Sequence, residues 1–162
     1  MTDARVATEI ERKFLVSSDG WKRAAVRAAR IRDGLVAIDN GRHARVRILD
    51  DSATIALKGP LEGMGRYEYE YGIPLADAEE MLHTMCDGRI LEKRRHYVPH
   101  AGLTWEVDVY DGILDGVVIA EVELDRADRE VPLPDWVGRE VTGDARFSKH
   151  RMLVERRRAL AT

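Results

Sequence analysis

The chain reads as a succession of short segments in which charged and apolar residues alternate with a period of two, the pattern of a β-strand with two unlike faces. Such segments are predicted near residues 7–15, 43–49, 53–58, 66–73, 91–98, 103–110 and 117–124. Most are rich in β-branched or aromatic residues, and several are bounded by Gly, Pro or Asp. The stretch Gly59-Pro60-Leu61-Glu62-Gly63-Met64-Gly65 reads as a hairpin connection. Three stretches carry a helical reading instead. Residues 19–31 place Trp21, Ala24, Ala25 and Ala28 at helical spacing, after Ser18 or Asp19 as a cap. Residues 77–86 align Ala78, Met81, Leu82 and Met85 in one apolar stripe, with Asp77 as cap and Gly88 as stop. A third helix is predicted from near Asp144 into the basic C-terminus. No internal repeat, low-complexity stretch or linker interrupts this pattern, so residues 1–162 are expected to form one α+β domain.

The charges are not scattered over these strands. Glu9, Glu11 and Lys13 share one face, as do Arg45 and Arg47. Lys58 lies opposite Ile55 and Leu57. Arg66, Glu68 and Glu70 face away from Tyr67, Tyr69 and Tyr71. Glu106 with Asp108, and Glu121 with Glu123, face away from apolar neighbours. Lys93 and Arg95 share a face with Tyr97, although Glu92, Arg94 and His96 charge the other side too. An antiparallel sheet with one wet face accounts for such alternation in any single strand. It does not account for repeated Glu-x-Glu and Arg-x-Arg pairs on faces with few Thr, Ser or Gln to dilute them. Like charges two residues apart repel unless something of opposite sign lies between them. Paired carboxylates suit a divalent cation, and paired guanidiniums suit phosphate oxygens. A sheet closed with this face inward would enclose a charged tunnel, and its apolar face would point outward beneath the helices.

Composition narrows the function. The net charge is −3, from 26 basic and 29 acidic residues, which gives no support to nucleic-acid binding. Cys86 is the single cysteine, so no internal disulfide can form, and a cytoplasmic, reducing location is expected. No apolar run is long enough to span a membrane, and no signal-peptide pattern opens the chain. The histidines at 43, 83, 96, 100 and 150 lack the paired spacing of a zinc site and read as surface or rim residues. Cys86 and Trp21 read as packing residues, and the Gly59–Gly65 stretch lacks the spacing of a phosphate-binding loop.

The ordered set of motifs resembles a CYTH domain of the triphosphate tunnel metalloenzyme superfamily. Its Glu-x-Glu-x-Lys signature reads Glu9, Glu11, Lys13 here. Arg45-Val46-Arg47, Leu57-Lys58-Gly59 and Arg66-Tyr67-Glu68-Tyr69-Glu70 follow in order. Then come Glu92-Lys93-Arg94-Arg95, Trp105-Glu106-Val107-Asp108, Glu121-Val122-Glu123-Leu124 and Val141-Thr142-Gly143-Asp144-Ala145-Arg146-Phe147. The resemblance implies a closed antiparallel barrel of about eight strands with a charged interior and helices packed outside. It implies a Mg2+- or Mn2+-dependent hydrolase of a small triphosphate, foremost inorganic triphosphate to pyrophosphate and phosphate. A class IV-type adenylyl cyclase and a non-catalytic polyphosphate- or nucleotide-binding module are the alternatives. Neither a nucleic-acid nor a membrane partner is expected, and a homodimer is left open.

By position, the resemblance implies that Lys13, Arg45, Arg47, Lys58, Arg66, Lys93 and Arg95 hold phosphate oxygens. Glu9, Glu11, Glu121 and Glu123 are the first candidates for metal coordination, and Glu106 and Asp108 the second. Lys13, Glu68 and Glu70 are the catalytic candidates, one of the two glutamates orienting water. The chemistry agrees, because a triphosphate carries roughly four negative charges near neutral pH and needs several cations to hold it out of bulk water. Two departures stand out. Leu35, in Arg32-Asp33-Gly34-Leu35-Val36, occupies the place where many bacterial relatives carry a tyrosine thought to work with the signature lysine. Either Tyr97 or Tyr110 at the tunnel rim serves instead, or the preferred substrate differs. Phe147 removes a second hydroxyl.

Overall fold

The computed structural model describes residues 8–162. Nine strands form one antiparallel sheet: β1 (Thr8–Val16), β2 (Arg27–Asp39), β3 (Arg42–Leu49), β4 (Ser52–Lys58), β5 (Gly65–Ile73), β6 (Ile90–His100), β7 (Leu103–Asp111), β8 (Val118–Glu123) and β9 (Val137–Glu140). Their order is β5-β4-β3-β2-β6-β7-β8-β1-β9. A further pairing of β1 with β5, at Thr8–Ile10 against Gly65–Tyr67, closes the first eight strands into a barrel. The second half of β1 pairs with β9 instead, so one strand serves both the closure and an added edge.

The expected helix over 19–31 is wrong over most of its length. Only α1 (Trp21–Ala24) is helical, and from Arg27 the chain is β2. Short Ala- and Arg-rich runs satisfy the helical and strand periods equally well, and tertiary pairing overrides weak propensity. Here β2 bonds to β3 on one side and to β6 on the other, and without it both neighbours would present open edges. The second helix, α2 (Leu75–Thr84), starts two residues before Asp77 and follows Pro74 without a side-chain cap. The third stretch divides into a short 3-10 turn (Ala145–Phe147) and α3 (Lys149–Leu160). Ser148 caps α3, its Oγ accepting from the Arg151 N–H at 3.2 Å. The sequence pattern did not predict β9.

The barrel has its largest apolar clusters outside. Phe14, Trp105, Val107, Ala120 and Val122 point outward from β1, β7 and β8 and meet Trp21 and Trp136, with Trp105 and Trp136 edge to face at 5.6 Å. Val46, Ile48 and Ala53 point outward from β3 and β4 beneath Ala78 and Leu82 of α2, with Cys86 as packing. The expectation that helices cover the outer face fails at β5, where Tyr67, Tyr69 and Tyr71 are each about half exposed. A third cluster lies at one end of the barrel. Leu91, Tyr110 and Ile119 are packed there by Leu114 and by Leu153 of α3. Among the described residues no helix is long and apolar enough to cross a membrane.

Candidate active site

Period-two geometry puts the charged faces inward. Lys13 pairs with Glu121 across β1 and β8, Lys58 with Glu68 across β4 and β5, and Arg95 with Asp108 across β6 and β7. Directly opposed residues share a face, so each pairing brings opposite charges to the lumen. The space between them forms two adjoining chambers, each of about 120 Å³, which share Glu11, Arg45, Lys58 and Lys149 as walls.

Every phosphate-binding candidate is inside and matched with a carboxylate. Lys58 Nζ donates to both oxygens of Glu9 at 3.1 and 3.0 Å and lies 2.8 Å from Glu68. Arg66 Nε reaches the same Glu9 at 3.1 Å, and Arg45 meets Glu70 at 3.2 Å. Arg95 holds Asp108 through Nε and Nη2, leaving Nη1 to Glu106. Lys93 donates to Asp108 at 2.6 Å. Lys13 stands 3.7 Å from Glu121 and donates to the Phe147 carbonyl at 3.3 Å, so the segment before α3 steadies the signature lysine.

The metal candidates separate into two groups. Glu9, Glu11 and Glu123 each offer an oxygen within 4.8 Å of the others. Glu121, Glu106 and Asp108 fall outside this trio and are paired with Lys13 and Arg95, although Glu121 and Glu106 still bear on Glu11 and Glu123. Burial alone would raise the Glu9 carboxyl, but Lys58 and then Arg66 hold it down at about 2. Glu11 behaves in the opposite way. Burial, then Glu121 and Glu9, push it up to about 7. Glu123 is also raised by burial and by Glu106 and Glu9. Lys149 and Lys13 offset only part of this at Glu11, so a buried carboxylate beside two others is left short of positive charge. An all-oxygen donor set fits a hard divalent cation.

Two tunnel residues escaped the sequence reading. Asp33, just past the stretch expected to be helical, is buried and accepts from Arg47 Nε at 2.6 Å and Nη2 at 2.8 Å. Read as a strand, 27–35 would have placed it on the same face as Ala29 and Ile31. Lys149, in the first turn of α3, lines both chambers. Its isolated position in a basic helix carries no period that could have singled it out. Leu35 does line the tunnel, in register with Arg45 on β3 and in the same chamber as Lys13. Of the candidate replacement tyrosines, Tyr110 is buried under Lys93, whose Nζ lies 5.5 Å from the ring centre. Tyr97 is covered by Arg27 at 4.2 Å. His43 and His150 line the tunnel rather than the outer surface.

A closed barrel lined by matched cations, with a carboxylate trio on one wall, defines a polyanion-binding tunnel of the triphosphate tunnel metalloenzyme class, whose members are metal-dependent. A family model described as CYTH domain matches residues 7–151, and the chain belongs to that family. It is 42% identical over 139 residues to an inorganic triphosphatase of Acetivibrio thermocellus, covering 86% of this chain and 88% of that protein. It is 36% identical over 146 residues to an inorganic triphosphatase of Nitrosomonas europaea, covering 86% and 93%. The crystal structure of an inorganic triphosphatase superposes with a TM-score of 0.63 at 29% identity, covering 90% of this chain and 94% of that one.

Proposed function

We propose that the protein hydrolyses inorganic triphosphate to pyrophosphate and phosphate with Mg2+ or Mn2+. The observation that carries this reading is the pairing of every phosphate-binding candidate with a carboxylate in one lumen, beside a carboxylate trio in which only Glu9 is ion-paired within 4.0 Å among the described residues. A triphosphate entering alone would meet repulsion from that trio, so polyanion and divalent cation are expected to bind together. Held by Glu9, Glu11 and Glu123, the ion would supply charge neutralisation at the phosphate oxygens.

The remaining roles belong to the chain. Arg47 and Arg95 are held through Nε and Nη2 by Asp33 and Asp108, so their remaining donors are oriented before substrate arrives. Asp108 serves this reading as an orienting group, with both oxygens committed. Lys58, Arg66 and Arg45 exchange Glu9 and Glu70 for phosphate oxygens. Lys13, steadied by the Phe147 carbonyl, stands where charge develops on the transferred group. Glu68 or Glu70, both partly exposed on β5, orients the attacking water. The water oxygen bonds to the terminal phosphorus, the bridging P–O bond breaks with its electron pair going to pyrophosphate, and a proton is released. Phosphoryl transfer asks mainly for such positioning and neutralisation.

The test is a product assay on inorganic triphosphate, ATP and thiamine triphosphate, with Mg2+ and with Mn2+, resolving phosphate, pyrophosphate and cyclic AMP. Metal-dependent phosphate release from inorganic triphosphate, abolished by Lys13→Ala, is expected. Cyclic AMP from ATP in place of hydrolysis would overturn the reading.

A further inference from the structure

The outward faces of β4 and β5 carry no charge. Alternation sends Lys58 of β4, and Arg66, Glu68 and Glu70 of β5, to the lumen. Outward residues are apolar or aromatic throughout, and the register sets Tyr69 against Leu57 and Tyr71 against Ile55. α2 covers one end of this face, at Ala53 and Ile73. The rest is open: Tyr67, Tyr69 and Tyr71 are 53%, 47% and 59% exposed, and Leu57 and Leu61 about half. Single exposed apolar side chains are ordinary, but a contiguous row of them marks a surface that is covered in the working state. Tyrosine suits such a surface, since its ring packs and its hydroxyl stays solvated.

The edge of the same strand is open as well. β1 pairs with β5 only over Gly65–Tyr67, so residues 69–73 have β4 on one side and no strand on the other among the described residues. That stretch holds no lysine, proline or bulge, and its one charge, Glu70, is held inward by Arg45. Natural sheets cover or block such edges.

The size and chemistry of the surface point to its occupant. A half-exposed tyrosine shows roughly 100 Å². A groove of about 410 Å³ beside Tyr67, lined by Ile10, Pro60 and Met64, continues the patch. With Leu57 and Leu61, each copy offers roughly 500 Å², so two copies would bury roughly 1,000 Å², the lower bound of a specific interface. An uncharged face meets its own image across a two-fold axis without like-charge repulsion. It offers a charged protein no complement, and an anionic membrane no lysine or arginine.

We propose that the outer face of β5 is the interface of a homodimer, in which two copies pack their tyrosine rows across a two-fold axis and cover each other's open edge. Glu68 and Glu70 stand on the other side of the same strand, bound to Lys58 and Arg45, so dimerisation braces that wall of the tunnel. Assembly of this kind is independent of what the tunnel hydrolyses.

The experiment is sedimentation equilibrium without ligand, over a concentration series in the micromolar range. Wild type is compared with the double variant Tyr69→Glu, Tyr71→Glu and with Val26→Glu, an exposed apolar site just before β2. Wild type and Val26→Glu are expected to show the same monomer–dimer equilibrium, with a micromolar Kd. The double variant should be monomeric, its dimer weakened about a hundredfold or more, because its glutamates would be brought together and desolvated at the axis. Hydrogen exchange on wild type, read at low and high concentration, should show the amides of residues 69–73 slowing as the dimer forms. A wild type that stays monomeric throughout overturns the inference and leaves the face to an unlike partner. A double variant that dimerises as well as wild type, or equal dissociation by Val26→Glu, overturns it too. If the double variant fails to fold, Tyr69→Ser decides by sedimentation, together with the exchange comparison on wild type.

Discussion

At the scale of the residue, the tunnel works by holding charges that would be intolerable alone. Glu11 illustrates this: its carboxyl is driven up to about 7 by burial and by Glu121 and Glu9. Glu11→Gln is expected to abolish high-affinity Mn2+ binding in a titration and to lower Mg2+-dependent turnover by roughly 10²-fold or more, while the fold survives. Asp33 shows the complementary case. Burial would raise its pKa, but Arg47 and then Lys93 hold it well below the ordinary aspartate value. A depressed folded-state pKa contributes stability above the unfolded value of about 3.9, and that contribution is lost as pH falls. Asp33→Asn should therefore destabilise by about 3–5 kcal/mol at pH 7 in urea unfolding, since Arg47 loses its buried partner. The gap from wild type should shrink as pH falls below about 4; a constant gap would show that charge is not its source.

At the scale of the element, the outer faces decide stability and the inner faces decide chemistry. Gly34 lies on β2 directly beneath α2, where an added Cβ would come within 2.4 Å of Leu82 Cδ2 and 2.5 Å of Cys86 Sγ. Gly34→Ala should cost about 1–3 kcal/mol by overpacking, seen as a lower urea midpoint. Trp105, fully buried between Phe14 and Trp136, should cost about 3–5 kcal/mol when cut to alanine. Neither residue faces the lumen, so the surviving folded fraction should retain its KM. The element missed in the sequence, β2, was missed for a physical reason. Ala28 and Ala25 fit a helix locally, and nothing within 19–31 records that β3 and β6 both need a partner there. β9 was missed similarly: four residues pair with the free half of β1, too few to show a period.

At the scale of the whole molecule, opposite charges compete for the same partners, so metal and polyanion should stabilise the barrel together. Saturation with Mg2+ and a slowly hydrolysed triphosphate analogue at about 100 times Kd should add about 2.7 kcal/mol, read as a higher melting temperature. Either component alone should add less. How much of this was readable beforehand follows from what each level of structure encodes. Alternation in β1, β3, β4, β5, β7 and β8 marked the inward charges residue by residue, because side chains alternate across any strand whatever its neighbours. Glu9, Glu11, Arg45, Arg47, Glu121 and Glu123 were all visible in that way. The sequence by itself thus determined which residues share a face, and the mismatch of like charges on those faces implied a ligand between them. Only the tertiary structure decided which charges meet. The strand order set Arg47 on Asp33 and Arg95 on Asp108, gathered Glu9, Glu11 and Glu123 into one trio, and left Lys149 without a carboxylate. The two Arg–Asp pairs follow from the register of the β2–β3 and β6–β7 hairpins, whereas the trio joins β1 to β8 from opposite ends of the barrel's sequence, a closure that no local pattern contains.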